Sequence, residues 1–281
     1  MQPQDHAELR TWLGRSIEAE DVMTSRLITG FRATLSHHVA ATAPEETPLG
    51  LHWCLAPEMA EAQELGPDGH PAKGVFLPPI PLPRRMWAAS ELTFHGPIAP
   101  EERIRRRSTI TKVEEKQGRS GRLIFVTVHH ELSTGAMLVV EEDQTIVYRE
   151  ATAQSVSTTP ETLAPSRAPH ERSVEVDPVL LFRYSALTFN GHRIHYDGNY
   201  ATEVEHYPGL VIHGPLQATL LLNFAAKIGA RPPRQFAFRG IHPAVGPQAL
   251  KLRGTPVGEN NLALEVESAN GQITMKATAQ W

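Results

Sequence analysis

His213-Gly214-Pro215-Leu216-Gln217-Ala218-Thr219-Leu220-Leu221-Leu222-Asn223-Phe224-Ala225-Ala226-Lys227-Ile228 decides the fold. From Pro215 the apolar residues fall on nearly every side of a 3.6-residue period, and a helix with so little polar face belongs in an interior. Leu210-Val211-Ile212 leads into it. After it, 235–240, 249–254, 261–268 and 272–279 read as strands. Before it, Asp177-Pro178 opens a short helix predicted to run to Tyr184. The second half therefore reads as an antiparallel sheet wrapped around one buried helix.

The first half shows a weaker version of the same order. Leu9, Trp12, Leu13 and Ile17 recur at helical spacing, so the opening from His6 to about Ala43 is expected to be helical, with Asp21 as a cap for the residues after it. Pro44 to Pro83 is rich in proline and glycine, and long ordered loops of that kind usually cover a site or an interface. From Trp87 the period becomes two. Strands are expected at 92–94, 103–116, 123–132 and 137–148, with Gln117-Gly118-Arg119-Ser120-Gly121 as a turn. Ala151 to Val174 reads as a linker. The expectation is an α+β protein, a double hot-dog: residues 1–150 a degenerate substrate-binding half, 151–174 the linker, 175–281 the half that carries the chemistry. Hot-dog sheets pair edge to edge, so the two halves can satisfy that pairing within one chain, and further homo-oligomer assembly stays open.

Composition narrows the function. Of 281 residues, 41% are hydrophobic and 21% charged, which supports a folded core and excludes wholesale disorder. Lys and Arg total 27 against 31 Asp and Glu, a net charge of −4. That balance argues against a nucleic-acid partner bound through a general basic field. The single cysteine, Cys54, fits a reducing cytoplasm. No run approaches the ~18–20 apolar residues of a membrane span, and the polar opening does not read as a signal peptide. Among 14 histidines, His192, His195, His206 and His213 invite a metal reading. H-x-x-H is too loose, and no cysteine or paired carboxylate completes a tetrahedral set, so no metal is expected.

The densest polar cluster is Tyr184-Ser185-Ala186-Leu187-Thr188-Phe189-Asn190-Gly191-His192-Arg193-Ile194-His195-Tyr196-Asp197, followed by His213-Gly214. It resembles the hydratase-2 (MaoC-like) segment, in which an acid stands five residues before a histidine and a His-Gly pair follows. The wording is most similar to the two-domain dehydratases that include the mesaconyl-C4-CoA and itaconyl-CoA hydratases and hydroxyacyl-thioester dehydratase type 2. The likeness extends to Arg85-Met86-Trp87-Ala88 and to Lys116–Gly121, and covers nearly the whole chain. It implies a hydro-lyase that hydrates an α,β-unsaturated acyl-CoA, giving an R-configured hydroxyl, with the thioester as substrate and no separate cofactor. The acyl group it favours is short and branched or dicarboxylic, of the C5 type.

Hydration needs a base for the water that attacks Cβ, a proton for Cα, and a donor for the thioester oxygen. His195 is the candidate base. Gly214, at the start of the buried helix, would offer its N–H as oxyanion donor. Asn190 stands where the hydratase-2 pattern has aspartate. It can orient water or a carbonyl but not transfer a proton, so His195 acts alone or another group helps; Asp197 is the nearest carboxylate in sequence. Tyr184, Ser185, His192 and His213 are candidates to line the substrate pocket, with packing as the bland alternative. Arg193, Arg85 and Trp87 are candidates for the substrate's acyl or CoA portion. Arg105-Arg106-Arg107 are either phosphate contacts or a solvated strand, and in a strand Arg106 faces away from the other two. Two other functions compete: a hot-dog thioesterase, which the missing acid disfavours, and a non-catalytic acyl-thioester binding module, which the missing acid favours.

Overall fold

A computed structural model describes residues 9–40, 47–118, 121–150 and 168–281. The first half contributes β1 (Ser16–Val22), α1 (Ser25–Leu35), β2 (Arg84–Phe94), β3 (Arg103–Gly118), β4 (Gly121–Thr134) and β5 (Met137–Arg149). The second contributes β6 (His170–Val176), α2 (Pro178–Thr188), β7 (Leu210–Val211), α3 (Gly214–Gly229), β8 (Gln235–Gly240), β9 (Val245–Gly246), β10 (Gln248–Pro256), β11 (Asn261–Glu267) and β12 (Ile273–Gln280).

Ten strands join in the order β1-β3-β4-β5-β2-β8-β12-β11-β10-β6. The halves have one topology. In each, the first strand takes the outer edge, an 11-residue helix follows, the next long strand takes the inner edge, and three more fill the space between. The inner edges meet where Ala89–Thr93 of β2 pair antiparallel with Gln235–Arg239 of β8. The chain is a double hot-dog that makes its edge-to-edge pairing internally.

The second half-sheet curls around α3, whose Leu216, Ala218, Leu220, Leu221, Leu222 and Ala225 are buried. Its few polar residues are satisfied where they lie. Gln217 Oε1 accepts from Thr274 Oγ1 at 2.6 Å, and Asn223 accepts from Ala40 N and donates to Leu49 O, both at 2.9 Å. Burial of hydrogen-bonded polar groups carries little penalty, so the helix can lie fully inside. The first half has no helix of that length among its described residues. Between α1 and β2 it has instead a buried single turn, Leu51–Cys54, and then the proline-rich segment, whose Phe76, Ile80 and Leu82 close a separate core on β3–β5.

Three sequence expectations change. Residues 16–22 form a strand, not helix; β1 is an edge strand whose Glu18 and Glu20 stand opposite Arg107 and Arg105 of β3. These cross-strand charge pairs supply what apolar alternation did not. They also make the outer arginines partners of β1, while Arg106, on the other face, lies 3.2 Å from His130 Nδ1. Thr24, not Asp21, caps α1, accepting from Leu27 N; Asp21 accepts from Ala56 N instead. The linker ends earlier than Val174, because His170–Val176 is the strand β6, paired with β10. Residues 1–8, 41–46, 119–120 and 151–167, including most of the expected linker and the Arg119-Ser120 turn tip, lie outside the described residues. Among the described residues, no helix is long and apolar enough to cross a membrane.

Candidate active site

The site is built on the N-terminus of α3. Gly214 is its first residue and Pro215 its second. Neither position has an intrahelical partner for an N–H, so proline is tolerated and the Gly214 N–H faces out along the positive end of the helix dipole. A Cβ added at Gly214 would meet nothing nearer than Trp87 O at 3.9 Å and Met275 Cε at 4.0 Å. These are ordinary van der Waals distances, so protein packing does not demand glycine here.

Residues 189–207 form the wall facing this terminus. Phe189 ends α2 in the left-handed region, and Asn190 N donates to Ser185 O at 2.9 Å. Asn190 Oδ1 then accepts from His192 N at 3.0 Å, which fixes the turn leading to His195. His195 sits on a single turn, Arg193–His195, buried. Its Nδ1 lies 2.7 Å from Val211 O, and a carbonyl only accepts, so Nδ1 carries the proton and Nε2 keeps its lone pair. The ring stacks on His213, centroids 3.6 Å apart at 19°. His213 is fully buried and its Nε2 is 2.8 Å from Ser185 Oγ. The stack thus sets His195 against the residue preceding Gly214.

Tyr184 is also buried, its hydroxyl 3.1 Å from Thr219 Oγ1 and its ring edge-on to His213 at 5.2 Å. Trp87 donates to Ser90 Oγ at 2.8 Å and packs edge-on to Trp53. Its backbone sits at a β-bulge in β2, directly across from Gly214. Arg85 Nη2 donates to Pro71 O at 3.2 Å.

Arg193 donates to Asp197 Oδ2 from Nε at 3.1 Å and from Nη2 at 2.8 Å, and Nη1 donates to Pro67 O at 3.1 Å. The other oxygen of Asp197 accepts from Tyr200 N at 3.0 Å. These bonds hold the loop together and engage both groups with each other. Cys54 is buried, and burial pushes its thiol up to about 12, which leaves it inert.

Sequence reasoning missed Asp68 and His70. They come from the proline-rich segment, which folds back so that Arg193 N donates to Asp68 O at 2.9 Å. Asp68 Oδ2 is 2.9 Å from His70 Nδ1, and the His70 ring is 4.1 Å from that of His192. His192 in turn stands edge-on to His195 at 5.4 Å. Burial pushes Asp68 up, but the His70 hydrogen bonds and charge outweigh it and hold the carboxyl well below the usual range. The one sequence signal was Asp68-Gly69-His70, an acid and a histidine on either side of a turn glycine.

That glycine is required. Gly69 has φ +86, and a Cβ there would overlap the Gly191 carbonyl oxygen. We expect G69A to lower stability by about 1–3 kcal/mol, through a clash with no room to relax, and to cut activity by separating the two loops. Urea melts and initial rates check this; an unchanged rate would mean that the loop contact does not matter to catalysis.

Burial also predicts a pH dependence of stability. It pushes His52 down to about 3 and His195 to about 4, and it holds His130 and His213 well below the ordinary range. Below 6.5 the unfolded chain therefore binds more protons than the folded one. The contribution is intact above that pH and is lost as pH falls toward the folded values. The urea midpoint should drop steadily between about pH 7 and about pH 5; a flat midpoint across that window would contradict the burial of neutral imidazoles.

The double hot-dog is the fold of solved MaoC-like dehydratases. A MaoC-like dehydratase from Phytophthora capsici has the same fold, with a TM-score of 0.70 over 97% of each chain at 11% identity. The family model described as hydroxyacyl-thioester dehydratase type 2 matches residues 50–246. Mesaconyl-C(4)-CoA hydratase of Chloroflexus aurantiacus is 41% identical over 98% of both chains. The mitochondrial hydroxyacyl-thioester dehydratase type 2 of Schizosaccharomyces pombe is 27% identical over 85% of this chain and 90% of its own. The chain belongs to the hydroxyacyl-thioester dehydratase type 2 family, and it is a hydro-lyase.

Proposed function

We propose that the chain reversibly hydrates the double bond of a short dicarboxylic C5 acyl-CoA, of the mesaconyl-CoA or itaconyl-CoA type. The observation that carries this reading is the His195–His213 stack at the first turn of α3, with His195 Nδ1 tied to Val211 O. In this mechanism His195 Nε2 takes a proton from water as the water oxygen bonds to Cβ. The C=C electron pair moves toward the thioester, whose oxygen gains charge and accepts from Gly214 N–H. Cα then takes a proton. The depressed affinity of His195 for protons keeps it neutral and receptive near pH 7, and charge building on the neighbouring enolate raises that affinity as the reaction proceeds.

Two facts support the substrate class. The relative that shares 41% identity end to end is named for mesaconyl-C(4)-CoA. Arg85 Nη2 donates to Pro71 O, next to His70, which sets a cation on this side of the site for a distal carboxylate. A panel of enoyl-CoAs tests the reading: mesaconyl-C4-CoA, itaconyl-CoA and crotonyl-CoA, scored by loss of enoyl-thioester absorbance and by product mass. Gain of one water on a dicarboxylic substrate, at a higher kcat/KM than on crotonyl-CoA, is the expected result. Release of free CoA thiol would replace this reading with a thioesterase, and preference for crotonyl-CoA would remove the dicarboxylic assignment.

A further inference from the structure

The proton for Cα needs a carrier, and besides His195 the loop bearing it offers His192 alone, edge-on to His195. Asn190 cannot carry a proton, its Oδ1 is bonded to His192 N, and Asp197 is paired with Arg193. The proline-rich segment packed on that loop brings a further pair against His192, namely His70 and its hydrogen-bonded Asp68. Asp68 and His70 stand on a tight loop closed by Gly66 N donating to His70 O at 2.7 Å and by a bridge between Leu65 and Pro71. That loop is pinned to the catalytic segment at three points: Arg193 N to Asp68 O, Arg193 Nη1 to Pro67 O, and the Gly69–Gly191 backbone contact.

We propose that His70 is a second catalytic residue, held by Asp68, and that it exchanges the proton at Cα. The inference rests on the hydration reading above. Asp68 fixes the His70 tautomer by accepting from Nδ1, which leaves Nε2 to carry the moving proton. In hydration His195 Nε2 takes a proton from the attacking water, the C–O bond forms at Cβ, and the C=C pair passes to the thioester enolate. Burial lowers the proton affinity of His70, so it starts neutral; its Nε2 receives the proton that His195 took from water, passed through His192, whose ring is 5.4 Å from that of His195 and 4.1 Å from that of His70. His70 then gives that proton to Cα as the enolate collapses, and all three imidazoles end as they began. No co-reactant other than water is needed. In dehydration every step reverses: His70 removes the Cα proton and His195 protonates the departing hydroxyl.

The geometry suits such a group. His70 is 23% exposed and Asp68 24%, so solvent-borne groups can reach the pair, whereas His195 and His213 are buried. It also accounts for a chain that has asparagine at 190 while keeping the rest of the motif: the acid that motif has lost comes instead from the first half of the molecule.

The test is H70Q and D68N, each compared with H195Q on the preferred enoyl-CoA, with exchange of the Cα hydrogen of the hydroxyacyl product followed in D₂O. H70Q should lower kcat by about 10²-fold or more, change KM little, and abolish Cα exchange. Added imidazole should restore part of the rate to H70A. D68N, acting through His70, should lower kcat less and shift the pH profile of kcat/KM. If H70Q does not melt cooperatively, D68N decides by its pH profile and exchange rate. Normal kcat and normal Cα exchange in H70Q or D68N, alongside an inactive H195Q, would overturn this proposal and leave the hydration reading standing. A fully active H195Q would instead overturn the hydration reading. Activity abolished by a chelator and restored by a divalent cation would also overturn the His70 role, in favour of a metal held by these side chains.

Discussion

Replacing His195 with glutamine should slow hydration of the preferred enoyl-CoA by about 10²–10⁴-fold, the range assigned to a positioned acid–base group. The loss should fall on kcat, because the ring's Nε2 acts on water in the transition state rather than on bound CoA. Glutamine is close in size and can donate to Val211 O as the imidazole Nδ1 does. Folding should therefore survive, with a melting temperature near that of the parent. The variant also removes a neutral buried ring, so its stability should depend less on pH below 6.5. Steady-state absorbance assays and a urea melt at two pH values are sufficient. A rate within a few-fold of the parent would leave His195 as a packing residue and return the chain to a binding role.

The second large effect is expected at Gly214. G214P deletes the donor and adds a ring, and G214A separates the two effects. The N–H lost is one that the helix itself leaves unpaired, the first helical positions tolerate proline, and the nearest atoms to a Cβ there are 3.9 and 4.0 Å away. The backbone before it is also compatible: His213 has φ −54 and ψ 133, the extended conformation that a residue preceding proline prefers. Removing a single oxyanion donor costs about 10²–10³ in kcat, and G214P should fall in that range while melting as the parent does. G214A is the companion. It keeps the N–H and adds a methyl group beside it, so it should weaken binding more than turnover. If G214P keeps its rate, the oxyanion donor lies elsewhere.

Much of the fold was legible because α3 declares itself. Sixteen residues with almost no polar face can only be an interior helix, and the four period-two segments after it can only be its wrapping. The site loop was legible for a different reason: Asn190, His195 and Gly214 lie within one short stretch, so their spacing survives in the sequence. β1 was misread because an edge strand has one exposed side and pairs here through Glu18, Glu20 and three arginines. Charge pairing leaves no apolar alternation, while Leu9, Trp12, Leu13 and Ile17 happen to sit at helical intervals. Asp68 and His70 were missed because their relevance comes from tertiary folding. They lie more than a hundred residues from His195 in a segment with no period at all, and nothing local distinguishes that acid from any other turn aspartate. Arg193 shows a role that local sequence does not display. Its position in the motif suggested a ligand, yet two hydrogen bonds to Asp197 and one to Pro67 O give it an architectural task.

The central claim is that an unprotonated imidazole nitrogen and a helix-terminal amide address the two ends of one conjugated thioester. It is tested most directly by a crystal structure with the hydroxyacyl-CoA product bound. The account predicts the thioester oxygen within about 2.7–3.1 Å of Gly214 N, and the new hydroxyl within about 2.6–3.2 Å of His195 Nε2. A product seated with its thioester away from the start of α3, or with its hydroxyl turned from His195, would contradict it.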